Sequence, residues 1–144
     1  MKAGRSVQAY IWGLAVIGTG LAYAVTYGDD RKAQEVPHGR ISDFKWVSLP
    51  EFGGQEAIIY RSPDGSRVAA AFKESGSFTF VYTFDEFMVV TSGKAKISIH
   101  GGPAFEVVKG EVAYFREGMT VDFTMSDGFS DVTYLVSNHE VKWR

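Results

Sequence analysis

Cysteine is absent from this 144-residue chain. That excludes disulfides, zinc–thiolate sites and thiol nucleophiles, while leaving the redox compartment open. Histidine occurs only three times, as His38, His100 and His139. The three are scattered and match no metal-ligand spacing. A basic excess is missing too: 15 Lys and Arg stand against 17 Asp and Glu, for a formal net charge of −2. The electrostatic footprint of a nucleic-acid binder is therefore lacking, although aromatic residues on strands can stack bases. No P-loop, G-x-G-x-x-G or G-x-S-x-G motif occurs. Ser, His and Asp are too sparse to nominate a triad.

What is present suits a folded domain. Hydrophobic residues make up 45% and charged residues 22%, and the length favours one compact unit. Aromatics at 15% and 16 glycines suit short strands joined by tight turns.

The first segment differs from the rest. Ser6 to Gly28 carries no charged residue. As a helix at about 1.5 Å per residue it would extend roughly 34 Å, beyond the roughly 30 Å hydrocarbon layer of a bilayer. Lys2 and Arg5 precede it, and Asp29, Asp30, Arg31 and Lys32 follow. Tyr10 and Trp12 near one end, and Tyr23 and Tyr27 near the other, match interfacial aromatic belts. A single N-terminal transmembrane helix within residues 1–28 is the expectation. A cleaved signal peptide (Ala22-Tyr23-Ala24 is a small-x-small site) and a buried helix are the alternatives. Ala9, Gly13, Gly20 and Ala24 give the helix a small-residue packing face. The short basic tail favours an N-terminus inside and the remainder on the periplasmic or extracytoplasmic side.

Residues 29–44 are polar, contain Pro37 and Gly39, and read as a linker. From 45 to 144 every segment reads as strand. Apolar or alternating runs fall at 57–61, 67–73, 77–83, 86–91, 94–100, 105–108, 111–115, 120–125 and 131–137. Turn signals separate them, among them Ser75-Gly76, Ser92-Gly93 and Asp127-Gly128. Some nine short strands at regular spacing predict an all-β barrel or sandwich.

The cadence of residues 84–136 resembles a cupin, and in particular the EutQ-like branch. The first cupin motif ends E-x6-G, as do Glu86 and Gly93. Counting back, its two histidine positions are Phe80 and Tyr82. In the second motif Gly110 and Gly118 match, Arg116 replaces the proline, Val121 the histidine and Met125 the asparagine. The segment Tyr82-Thr83-Phe84-Asp85-Glu86, with one residue more between Tyr and Asp, resembles the Tyr-x-Asp-Glu segment of EutQ-like proteins, which also lack the usual histidines. The resemblance implies a small jelly-roll β-barrel, mainly β, following the helix. It also implies that only Glu86 survives of the usual four ligands, so no metal or other cofactor is expected.

In that register Phe80, Tyr82, Glu86 and Val121 face the barrel interior. Phe78, Phe123 and Met125 share the face by the two-residue strand period. These seven are the candidate ligand-pocket residues, unless the barrel is simply filled by side chains. Glu86 and Tyr82 are the candidate acid and base. The structural alternative pairs Glu86 with Lys94 or Arg116. The leading expectation is a membrane-anchored, non-catalytic accessory subunit. Its partners would be the lipid bilayer and integral-membrane subunits of a larger complex, a respiratory or photosynthetic assembly being one kind of host. The alternatives are a metal-independent cyclase, isomerase or lyase and a ligand-binding sensor, either taking a small apolar ligand.

Overall fold

The computed structural model describes residues 36–144. The expected transmembrane helix and its packing face at Ala9, Gly13, Gly20 and Ala24 lie outside the described residues. No helix among the described residues is long and apolar enough to cross a membrane. Residues 36–45 run as exposed or half-buried chain with one 3-10 turn at Ile41–Asp43.

Eight strands follow: β1 (Trp46–Leu49), β2 (Gly54–Arg61), β3 (Arg67–Val81), β4 (Asp85–Ser92), β5 (Lys94–Ile99), β6 (Ala104–Val108), β7 (Val112–Phe115) and β8 (Thr120–Val136). All pairings are antiparallel. The main path runs β1-β2-β3-β8-β4-β7, and β5 pairs with both β6 and β8. The expected mainly-β architecture is therefore present, with one correction. Segments 67–73 and 77–83 are a single strand, β3, and segments 120–125 and 131–137 are a single strand, β8.

The turn signals at Ser75-Gly76 and Asp127-Gly128 are bends within strands. The reason lies in the register. Glu74 pairs with Phe129 and Gly76 with Met125, so β8 advances by four residues while β3 advances by two. This bulge bends both strands without ending their ladder. Beyond it, the first half of β8 pairs with β5 at Met125 to Val121. The second half pairs with β4 at Ser130 to Val136. The one pair of long strands thus carries two sets of neighbours within a single eight-stranded sheet, with a bend between them.

Inward positions largely alternate along β4, β5 and β8, while in β3 Ala71 is buried beside Ala70 and Phe72. Val68, Ala70 and Phe72 of β3 are buried, as are Val121, Phe123, Met125, Phe129 and Leu135 of β8. Met88 and Val90 of β4 and Ala95 and Ile97 of β5 complete the same core. Burying each such large side chain contributes about 1.5–3 kcal/mol, which fixes the register, since a one-residue slip would turn the whole set outward.

The β4–β5 hairpin turns at Gly93, whose φ is +68°. A Cβ there would lie 2.8 Å from Phe129 Cα. Gly110 has φ +89° but open space around it. Gly93→Ala should therefore destabilise the barrel more than Gly110→Ala. The left-handed backbone costs each about 1–2 kcal/mol, and only Gly93 adds a backbone clash. Denaturant midpoints of the two variants check the ordering.

Candidate functional site

The bend in β3 and β8 opens the core beside it. A cavity of about 50 Å³ lies there, room for a few waters or a ligand of a few heavy atoms. Its walls are aromatic. Phe78 and Phe80 come from β3, Tyr82 and Phe84 from the β3–β4 connection, and Phe123 from β8. Phe52, from the 3-10 turn Pro50–Phe52, closes against Phe78 with ring centroids 4.9 Å apart. Tyr82 stacks on Phe115 at 5.0 Å and meets Phe80 edge-on at 4.8 Å. Such pairs add about 0.5–1.5 kcal/mol each beyond area burial and hold the rings in place.

Six of the seven expected pocket residues meet here: Phe78, Phe80, Tyr82, Glu86, Phe123 and Met125. Val121 does not. It pairs with Phe80 across β3 and β8 and is 0% exposed, packed in the core rather than lining the cavity.

Three carboxyl groups line the same space. Glu86 sits on β4, Glu74 on β3 at the bend, and Asp131 on β8. Glu74 and Glu86 keep some accessible surface, which fits residues that present one side to the cavity. Their carboxyls are otherwise enclosed by protein. Neither of the expected basic partners reaches Glu86. Lys94 pairs with Glu106 at 3.0 Å, while Arg116 acts on Asp85. Instead, Thr133 Oγ1 donates to Glu86 Oε1 at 2.6 Å. Tyr82, on the same cavity wall, also favours the charged form of Glu86.

Burial without a counter-charge governs the protonation of all three. It raises Glu86 above the ordinary carboxylate range, against the opposing effects of the Thr133 hydrogen bond and of Tyr82. Glu74 is pushed to about 8, by burial first and by the charge of Glu86 second. Asp131 is held well above its ordinary value by burial, then by Glu74 and Glu86. Tyr82 is likewise raised by burial and by Glu86. Carboxyls with different proton affinities around one cavity are the arrangement that separates an acid from a base.

Glu74, Asp131, Thr133 and Trp143 were not among the expected site residues. A signal for the carboxyls did exist. Glu74 continues the even-numbered inward series of β3, and Asp131 falls in the odd-numbered inward series of β8. Trp143 reaches the cavity from the last residues of the chain. It packs edge-on against Phe72 at 5.9 Å and donates Nε1–H to the buried Glu56 at 2.6 Å. Arg144 pairs with the other oxygen of Glu56.

Cupin motifs usually present a metal. Here the four ligand positions hold Phe80, Tyr82, Glu86 and Val121, and no three His, Asp or Glu side chains among the described residues converge closely enough to hold an ion. A divalent metal needs several donors at about 2.0–2.6 Å, and this residue set does not fit one.

The fold agrees with the comparisons. Residues 61–134 match the EutQ-like cupin domain family; the chain belongs to this family. Among solved structures it is similar to a putative ethanolamine utilization protein Q from Salmonella typhimurium LT2. Identity there is 16% and the TM-score 0.52, over 65% of this chain and 93% of that one. A Rhizobium leguminosarum protein of unknown function is 22% identical, with a TM-score of 0.55 over 73% of this chain and 99% of that one. Ectoine synthase from P. lautus is 10% identical, with a TM-score of 0.56 over 63% of this chain and 67% of that one. At these identities the likeness is one of fold alone. No curated protein sequence matches the chain.

The raised carboxyls have a consequence for stability. Glu74 and Asp131 bind protons more tightly folded than unfolded. Their contribution is complete below the ordinary value of 4.5 for Glu74 and is lost as pH rises toward about 8. Asp85 and Glu140 are shifted the other way, so their contribution disappears only in acid. Between pH 5.5 and 8.5 the melting temperature should therefore fall, by roughly 5 °C or more for a domain of this size. Glu74→Gln should flatten the slope, as scanning calorimetry across that range would show.

Proposed function

We propose that the barrel interior is a small-molecule site that works by proton transfer without a metal. The observation carrying this reading is three carboxyls around one aromatic cavity whose lining contains no Lys, Arg or His. A core built only for stability would fill the space with apolar side chains, since burying unpaired ionisable groups costs several kcal/mol per ion. In this reading Glu86 is the base, because Thr133 and Tyr82 favour its charged form. Glu74, neutral near pH 7, is the acid. The surrounding rings exclude water and strengthen both interactions. The reaction class that fits is an isomerisation, cyclisation or elimination, in which one proton leaves a carbon or heteroatom and another returns elsewhere. Positioned acid–base groups supply about 10²–10⁴-fold in such steps.

The test is a thermal-shift screen of small molecules on the full-length protein, followed by turnover assays on the hits. Compounds that raise the melting temperature of the wild type should lose their effect on Glu86→Gln, and any turnover should fall by about 100-fold or more. If no compound shifts the wild type and Glu86→Gln is simply more stable, the carboxyl is structural and the reading fails.

A second reading, the membrane-anchored accessory subunit, draws on a different surface. Phe87 pairs with Tyr114 on one side and Tyr134 on the other. All three are exposed on the outer face of the sheet, a row of large apolar side chains of the kind that protein contacts cover. In this reading the covering partner is an integral-membrane subunit, with the barrel tethered on the extracytoplasmic side of the bilayer. Purification from native membranes in gentle detergent decides it. Stoichiometric integral-membrane partners support the role, and a lone monomer counts against it.

A further inference from the structure

Trp143 lines the cavity and is yet only half-buried. It stands at the edge of the site, between solvent and the aromatic wall. The backbone around it gives little hold. Val141 is 1% exposed, donates its N–H to Gly65 O at 2.9 Å and accepts from Arg61 Nη1 at 3.2 Å. Beyond that pin, residues 142–144 belong to no strand or helix. Their backbone makes no hydrogen bond to other backbone groups among the described residues. Side chains hold them to the barrel instead.

Two of those grips fall on one residue. Glu56 of β2 is 1% exposed. Its Oε2 accepts the Trp143 Nε1–H at 2.6 Å, and its Oε1 pairs with Arg144. Hydrogen bonds to an ionised group are the strong ones. Taking either partner away while Glu56 stays buried leaves a carboxylate short of partners, which is costly, so the two grips hold or yield together. The swing that lifts Trp143 and Arg144 away also admits water to Glu56. Release then exchanges protein partners for water and strands no buried charge. A stretch with few backbone hydrogen bonds opens locally while the ladders beneath it stay intact. The Phe72 ring edge-on at 5.9 Å and the Arg61 guanidinium at 5.1 Å give the indole its seat when closed.

We propose that Trp143 is a gate to the cavity, hinged at Val141 and latched shut by Glu56. Closed, the indole completes the wall beside Phe72 and keeps water from the buried carboxyls. Open, it gives small molecules a way in from the β2 side. Glu56 is a positioning residue: it does not line the cavity and acts through the indole. The gate governs access and does not depend on what the cavity binds.

The chain has no cysteine, so a single introduced thiol reports access to its own position. Met125→Cys places one in the cavity wall, with Leu135→Cys in reserve should that variant fail to fold. Val121→Cys places one in the core away from the cavity. The experiment treats the full-length protein with iodoacetamide under native conditions and follows the mass. Glu56→Ala should speed modification of the cavity thiol by at least about tenfold, while the core thiol changes by less than about twofold. Glu56→Gln keeps an acceptor for the indole and should fall between wild type and Glu56→Ala. Trp143→Ala should open the cavity as much as Glu56→Ala does, and it takes that variant's place if Glu56→Ala does not fold. Equal acceleration of both thiols would make the contact a general stabiliser and overturn the gate. An unchanged cavity thiol would overturn it too. Iodoacetamide reads access directly, so an empty thermal-shift screen would remove the small-molecule reading and leave the gate standing.

Discussion

The shared ladder of β3 and β8 is the constraint on which the other features depend. Its register runs from Arg67–Val136 to Val81–Thr120, and each end of it carries a different neighbour. At one end β2 flanks β3, and β4 flanks β8. At the other, β5 joins β8 and brings β6 with it. The core fills the fold between these two parts, and neither part has an inner face without the other. Antiparallel sheets with one wet face depend on such a covering layer.

The bulge at Glu74–Gly76 and Met125–Phe129 gives that ladder its bend. It also makes room for the cavity. Glu74, Asp131 and the phenylalanine wall bound that space. Glu74 and Asp131 sit beside the bulge, while Glu86 comes from the regular β4–β8 ladder, opposite Leu135. Folds often depart from regularity beside functional sites, and here the departure lies beside the cavity.

The electrostatics are the counterpart of that geometry. With no basic side chain lining the cavity, burial raises every carboxyl, and mutual repulsion separates their proton affinities. Thr133 and Tyr82 favour the charged form of one member only. Around this cavity the carboxyls therefore differ in proton affinity. The lost cupin histidines leave this region free for such chemistry, because phenylalanine and tyrosine at positions 80 and 82 make it apolar.

Much of this was written in the residues themselves. Alternation along 94–100, the glycine turns and the two cupin motif remnants determined a β fold of the EutQ-like family. They also determined the facing of Phe80, Tyr82 and Glu86, because strand parity is local and a motif carries its own spacing. Only the tertiary structure decided that Ser75-Gly76 and Asp127-Gly128 bend strands instead of ending them, since a turn signal and a bulge use the same residues and differ only in what pairs across them. It alone decided that Glu86 lacks a basic partner, Lys94 being drawn to Glu106 across β5 and β6. It alone gathered Glu74, Glu86 and Asp131, which lie far apart in the chain, around one cavity. Their meeting is set by the register of long antiparallel pairings, a non-local property that no window of sequence contains.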